Sequence, residues 1–443
     1  MSKQPYKIGM VSLGCPKNQV DAEQILGVLA KQGFVITPEQ TEADVIVVNT
    51  CGFIESAKEE SIEAILDAAK MKKQGKCRAL IVAGCLAQRY RDELSKELPE
   101  ADAIIGTAEI PKVAEICERV IGKREHVVSV SAPAMVYGLP RVSTTPRHYR
   151  YLKIAEGCSN RCSYCAIPII RGNFLSRPSG SIIDEAKRLA DEGTKELILL
   201  AQDSTQYRDV GIDLPKLLTK LTKVKGLTWI RLMYVYPGKV TDDLMHVLAG
   251  EEKLCRYLDI PVQHIDDKVL AAMNRRGTSD DIRRTTEKLR KKVPGIAIRT
   301  SLIVGFPGET EAAYKRLLAF VKEQEFEHLG VFTYSPEEGT TAVDLPGRVP
   351  KRVAEARYAG IMKAQAKISL KKNRALIGRS QTVLVDTMED MALIGRMQTQ
   401  APEIDGVVYL SKTEAGPGDF VDVTITDARE YDLMGTGAHD GKE

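Results

Sequence analysis

From residue 7 to residue 336 the chain repeats one pattern: a short run rich in Val, Ile, Leu and Ala, followed by a longer amphipathic stretch. Strands buried on both faces read as continuous apolar runs, and when helices join them they form parallel sheets covered by those helices. The alternation therefore confines most of the chain to the α/β class. In the first part, strands are expected at 7–13, 44–50, 78–84 and 102–106, with helices at 18–33, 56–73 and 112–122. This predicts a small doubly wound parallel sheet. In the second part, strands are expected at 149–157, 196–203, 228–237, 257–263, 296–306 and 328–336. Helices between them fall at 181–192, 213–223, 240–249, 266–274, 278–292 and 310–324, and a long basic helix at 350–373 follows. Six βα units suit a partial (βα)6 barrel, whose chemistry sits at the C-terminal ends of its strands. After residue 376 the helical period is lost. "QTVLVD", "ALIGRMQTQ", "GVVYLS" and "DFVDVTITDARE" are β-rich runs separated by Gly and Pro, and they predict a small β-barrel. The expected units are 1–124, a linker at 125–147 carrying Pro133, Pro140 and Pro146, a core at 148–375, and 376–443.

No apolar run approaches the roughly 20 residues needed to cross a bilayer. The start, "MSKQPYKIGMVSLG", shows no signal peptide, so a cytoplasmic location is expected. In that compartment the nine cysteines stay reduced, and scattered reduced cysteines point to metal or catalysis for some of them. Charge is uneven. Residues 376–443 carry 5 Lys and Arg against 13 Asp and Glu, a balance of −8, which leaves 58 against 47, or +11, ahead of them.

Three cysteines, Cys158, Cys162 and Cys165, follow a C-x3-C-x2-C spacing in "EGCSNRCSYC", just after the first strand of the second part. A structural zinc site closes with four protein ligands, and no fourth Cys or His is near. Thiolates also hold [4Fe–4S] clusters, usually four of them, so three leave one iron open to a substrate or cofactor. At the mouth of a βα barrel that open iron faces the active site. This reading stands ahead of zinc or coincidence. Cys15, Cys51 and Cys85 each follow a strand of the first part, at the sheet edge where open parallel sheets bind ligands. They are positioned to converge, or are three separate core residues. Cys77 precedes its strand and faces the wrong edge, while Cys117, inside a helix, and Cys255, just before a strand, read as core.

With an aromatic residue, Tyr164, before its last Cys, the first motif resembles those of the radical S-adenosylmethionine enzymes. The resemblance implies that the open iron chelates the amino and carboxylate groups of S-adenosylmethionine, and that one electron splits the sulfonium to a 5′-deoxyadenosyl radical. Taken with the second triad, almost the whole chain is similar to the methylthiotransferases. These join an N-terminal domain with an auxiliary [4Fe–4S] cluster to a radical barrel and a C-terminal TRAM barrel. The resemblance implies that Cys15, Cys51 and Cys85 bind the auxiliary cluster. It also implies that one S-adenosylmethionine methylates a sulfur held there while a second makes the radical. A C–H bond without activating acidity cannot be opened by general-base chemistry, which is why a radical is needed. An external electron donor, such as flavodoxin or ferredoxin, and a sulfur source are implied partners.

"LGCPKNQVDAE", "AQDSTQY", "YVYP", "YLDIPVQHID" with His264, and "YSPEEGTTA" resemble the RimO branch, which modifies the β-carbon of an aspartate in the twelfth small-subunit ribosomal protein. The alternatives are the tRNA-adenosine branch, called MiaB, and a non-catalytic iron–sulfur or RNA-binding protein. A barrel acting on tRNA should be basic. An acidic one suits recruitment of a basic ribosomal protein, unless it is only a solvated face. The basic helix at 350–373 leaves a ribosomal RNA contact open. By resemblance, Gln202 and Asp203 meet the amino group of S-adenosylmethionine, the Tyr164 backbone lies near its adenine, and Gln263 lies near the ribose or the substrate. "SLIVGFPGET" is consistent with close approach of the adenine, or with a strand-to-helix turn broken at Gly308. Arg275 and Arg276 are candidates to orient a carboxylate, or are surface arginines after a helix. No residue beyond the cluster ligands is assigned a catalytic role.

Overall fold

A computed structural model describes residues 5–390 and 392–437. Three of the charged residues counted in the acidic tail, Asp440, Lys442 and Glu443, lie outside the described residues. The first unit is a parallel sheet of β1 (Lys7–Ser12), β2 (Val35–Ile36), β3 (Val45–Thr50), β4 (Ala79–Gly84), β5 (Ala103–Ile105) and β6 (Val127–Ser129). Its strand order is 2-1-3-4-5-6. Alternate residues of β3 feed two separate cores. Val45 and Val47 pack with Ile25 and Leu29 of α1 (Pro16–Lys31), while Ile46 and Val48 pack with Ile65 of α2 (Glu55–Gln74). Burial on both faces is why these strands read as unbroken apolar runs. The two strands that escaped sequence reasoning, β2 and β6, are edge strands of two and three residues, too short to show a pattern.

β6 also corrects the expected linker. Residues 127–129 complete the sheet, and the chain beyond them is fixed by Arg141, whose buried guanidinium pairs with Glu23 of α1 and Glu185 of the barrel (2.8 Å). Pro and Ser content marked the absence of regular structure there, not freedom of movement.

Six parallel strands form the central sheet: Tyr149–Lys153, Glu196–Leu200, Trp229–Leu232, Leu254–Asp259, Ala297–Val304 and His328–Thr333, neighbours in chain order. The curved sheet stays open between its first and last strands, as a partial barrel does. Leu197 and Leu199 face the covering helices, and Ile198 and Leu200 face the interior. Cys255 lies inside its strand, which begins at Leu254 rather than at Tyr257, and Cys117 is fully buried in a helix.

The third unit is a closed barrel of five strands, Ser380–Glu389, Ala392–Met397, Val408–Ser411, Phe420–Ala428 and Leu433–Gly437. The last of these was missed because "LMGTG" has little strand propensity. This unit covers the N-terminal ends of the central strands. Trp229 meets Phe420 edge-on at 4.8 Å, and buried Glu196 bridges Arg231 (2.7 Å) and Arg396 (2.8 Å). The opposite ends of the central strands face the first unit, where Lys153 pairs with Asp21 of α1 (2.5 Å). Among the described helices none is long and apolar enough to cross a membrane.

Candidate functional site

Three loops at the C-terminal edge of the first sheet each deliver one thiol to the start of a helix. Cys15 is the N-cap of α1, Cys51 lies a few residues before α2, and Cys85 opens a short helix, Cys85–Arg89. Helix N-termini favour anions, thiolates included. The loops approach closely: Gly14 runs at φ +88°, and a Cβ there would lie 2.9 Å from the Cys51 Cβ. A glycine is required on both counts. Asn18 knits the group together. Its Nδ2 donates to the Leu13 carbonyl (2.7 Å) and the Thr50 carbonyl (3.1 Å), and its Oδ1 lies 3.8 Å from the Cys85 sulfur. Burial pushes Cys51 up to about 12, with the nearby Cys85 and Cys15 thiols adding to it, and burial raises Cys85 as well. These contacts draw the three loops together at one sheet edge. Cys77 is buried at the other edge, its thiol on the Ala79 carbonyl.

The second triad occupies the loop after the first central strand. Gly157, at φ +74°, lets the chain pass against the carbonyl of Asn173, and Arg161 also adopts a left-handed conformation. The Cys158 amide donates to the Gly172 carbonyl (3.1 Å) and the Cys165 amide to that of Cys162 (3.0 Å). Burial raises Cys158, and raises Cys165 to about 12. Such thiols stay protonated until a metal replaces the proton. Among the described residues, no group of three or more Cys, His, Asp or Glu is drawn tightly enough about one point to hold a single metal ion.

The segment after the second triad touches the first. The helix after Cys165, Ile167–Arg171, lays Ala166 and Ile170 on Cys85. Arg171 then reaches across, donating to the Cys85 sulfur (3.1 Å), Asn18 Oδ1 (3.1 Å) and Asp21 (2.6 Å). Lys153 joins Asp21 to Glu156 (2.7 Å). Burial alone would raise the Glu156 carboxyl, but Lys153 and Arg171 hold it well below the usual carboxylate range. Sequence reasoning passed over Arg171, Lys153, Asp21 and Glu156. Their one visible signal was charge inside otherwise apolar elements, as in "IPIIRG" and "YLKIAEG".

The residues singled out around the barrel mouth take distinct places. Gln202 donates to Glu156 (2.7 Å), yet its Oε1 is buried with no partner, a free acceptor beside the second triad. Asp203 is saturated by its surroundings: it caps the turn Ser204–Gln206 and accepts from Asn160 (2.7 Å), Gln206 (3.0 Å) and Lys239 (3.1 Å). Tyr164 stands edge-on to Phe306, with Arg275 donating to its hydroxyl (3.3 Å). Arg275 also approaches the Cys162 sulfur (3.8 Å), whereas the Arg276 side chain is exposed. His264 is fully buried against Glu309 (3.3 Å), which also binds Arg357, so it braces the barrel from behind. Among the described residues nine non-glycine positions have positive φ, and four of them lie about this mouth: Arg161, Tyr234, Gln263 and Asn274. Strained backbone held in place by its surroundings gathers at working sites.

The chemistry of the donors fits iron–sulfur ligation: two sets of three thiols, each one short of a closed shell, with an orphan acceptor beside one of them. Family models agree on the layout. One described as uncharacterized protein family UPF0004 matches residues 7–106, one for the radical SAM superfamily 152–321, and one for the TRAM domain 377–437. The ribosomal protein uS12 methylthiotransferase RimO of Geobacter sulfurreducens is 50% identical, covering 98% of this chain and 99% of that protein. The protein of the same name from Geotalea uraniireducens is 49% identical over 97% of this chain and 98% of its own length. Among solved structures, the radical S-adenosylmethionine methyltransferase TsrM from Kitasatospora setae, with cobalamin and a [4Fe-4S] cluster bound, superposes with a TM-score of 0.54 at 15% identity, covering 75% of this chain and 77% of that one. The cobalamin-dependent S-adenosylmethionine radical enzyme OxsB follows at 0.53 and 11% identity, covering 82% and 56%. These two likenesses are of fold.

Proposed function

The chain belongs to the RimO family of methylthiotransferases, and from that premise we propose that it replaces a β-carbon hydrogen of an aspartate in ribosomal protein uS12 with a methylthio group. The observation that carries this reading is the contact between one thiol of the first triad and the segment that follows the second, with Cys85 packed on the helix after Cys165. Transfer of a sulfur group to a carbon radical needs the sulfur and the source of the radical in one chamber, and a single-centre enzyme has no use for that contact. A [4Fe–4S] cluster with S-adenosylmethionine supplies, when bound, the one-electron cleavage that lets an unactivated carbon lose hydrogen.

The chain's own residues do the rest. Cys158, Cys162 and Cys165 hold the radical cluster, and Cys15, Cys51 and Cys85 hold the auxiliary one. Gln202 offers its free oxygen to the amino group of S-adenosylmethionine, and its bond to Glu156 fixes the amide's orientation. Asp203 acts one step back, through Asn160 and Lys239, by holding the loop that carries Cys158. Tyr164 and Gln263 flank the same space, toward the adenine and the ribose.

The substrate is a basic ribosomal protein, which places the reaction in the cytoplasm, and electrons come from a carrier of the flavodoxin or ferredoxin type. The C-terminal barrel supports recruitment by charge. Asp386 and Asp405 are turned inward onto Arg396, His148 and Arg299, but Asp419, Asp422, Asp427 and Glu430 are exposed. Neutralising those four together should weaken uS12 binding severalfold, with an effect that shrinks at high salt. Unchanged binding would remove the barrel from recruitment. The decisive experiment is mass spectrometry of uS12 and of total tRNA, with and without the enzyme. A methylthio gain on uS12 alone is expected, and a gain on tRNA alone would move the chain to the other branch.

A further inference from the structure

We propose that Lys17 holds the side-chain carboxylate of the substrate aspartate and so selects an acidic residue for modification; this rests on the uS12 reading above. Lys17 is the second residue of α1, two positions after Cys15, and only 9% of it is exposed. Its ammonium sits 3.7 Å above the centroid of the Tyr234 ring, on a residue held at φ +58° just beyond the third central strand. Lys17 therefore reaches from the first triad onto the barrel mouth.

What sets it apart is the lack of a bonded ion-pair partner. The neighbouring cations are all satisfied: Lys153 and Arg171 by Asp21 and Glu156, Lys239 by Asp203, Arg299 by Asp259. Arg275 is spent on the Tyr164 hydroxyl and the Pro261 carbonyl. Among the described residues, Lys17 has neither a carboxylate within ion-pair distance nor a hydrogen-bond acceptor; it rests on the face of the Tyr234 ring, with Cys15 and Glu156 near enough to favour its charge but not bonded to it. Burying most of a lysine costs less when an anion joins its ammonium, and a ring face offsets just part of that cost. The position is complete once a carboxylate enters.

The place fits the chemistry. In an aspartate the carboxylate is one bond from the β-carbon, so a grip at Lys17 sets that carbon beside Cys15, between the triads. S-adenosylmethionine also carries a carboxylate, but the free acceptor for its amino group, Gln202 Oε1, lies by the second triad. An asparagine at the target position would bring no charge and would leave the ammonium unpaired.

The test uses reconstituted enzyme and two peptides spanning the target residue of uS12, one with the aspartate and one with asparagine in its place. The wild type should bind the aspartate peptide about ten- to a hundredfold more tightly, the size of a charged hydrogen bond in a dry site. Lys17→Met should lose that preference, Lys17→Arg should retain part of it, and S-adenosylmethionine affinity should stay the same in both. Iron content and thermal midpoint separate misfolding from loss of recognition. The proposal is overturned if Lys17→Met still prefers aspartate, if it weakens both peptides equally, or if it weakens S-adenosylmethionine instead. A wild type that leaves uS12 unmodified removes the substrate reading and this proposal together. A wild type that modifies uS12, with a Lys17→Met variant that discriminates as before, removes this proposal alone.

Discussion

Arg171 joins two units with one guanidinium. It donates to a thiol of the first triad from the helix that follows the second, and it neutralises Asp21 and Glu156 on the way. Its side chain is only 3% exposed, so truncation leaves buried carboxylates one cation short. Arg171→Met is expected to cost about 3–5 kcal/mol in urea denaturation and to lower the iron retained. Arg171→Lys, which keeps charge but not the two-sided fork, should recover part of both. A variant as stable and as iron-rich as the wild type would show that Lys153 alone carries the junction.

The elements that hold the thiols share one device, a glycine that lets a loop run against its neighbour. At Gly157 the backbone is left-handed and lies on the Asn173 carbonyl, leaving no room for a Cβ. Gly157→Ala must therefore shift the strand-to-loop junction that carries Cys158. We expect it to shed the cluster of that loop, so that anaerobic analysis finds about four irons in place of about eight. The same halving is expected from replacing Cys158, Cys162 and Cys165 with Ala. Retention of the full complement in Gly157→Ala would mean that the loop can reseat.

The whole molecule is a barrel closed by a different partner at each end, and the lower junction can be followed optically because Trp229 is the only tryptophan. It packs on Phe420 of the C-terminal barrel, beside the Glu196–Arg231–Arg396 group. Burial would raise the Glu196 carboxyl, but Arg231 and Arg396 outweigh it and hold it below the usual range. A depressed carboxylate contributes stability that is complete above the ordinary value of about 4.3 and is lost as pH falls below it. Trp229 emission in mild denaturant should thus hold steady from about pH 7 to 5 and report opening below about 4.3. Asp259, which burial holds above its usual value despite Arg299, runs the other way and shallows the slope. A transition centred near neutrality would show that the Glu196 group does not govern this junction.

The alternation of apolar runs and helices determined the two parallel sheets, because strands buried on both faces must be apolar at every position. The C-x3-C-x2-C spacing likewise marked one candidate cluster site, since a single loop holds all three thiols. The fifth strand of the C-terminal barrel, β6, and the fixed course of 130–147 left little trace, for their order comes from neighbours rather than from local preference. Cys15, Cys51 and Cys85 were visible as candidates at strand ends. Only the tertiary structure decided that their loops come together and that Cys85 takes Arg171 from the helix after the other triad. Ion pairs between residues more than a hundred positions apart, such as Lys153 with Asp21, carry no period or spacing, and they exist only once the units are packed.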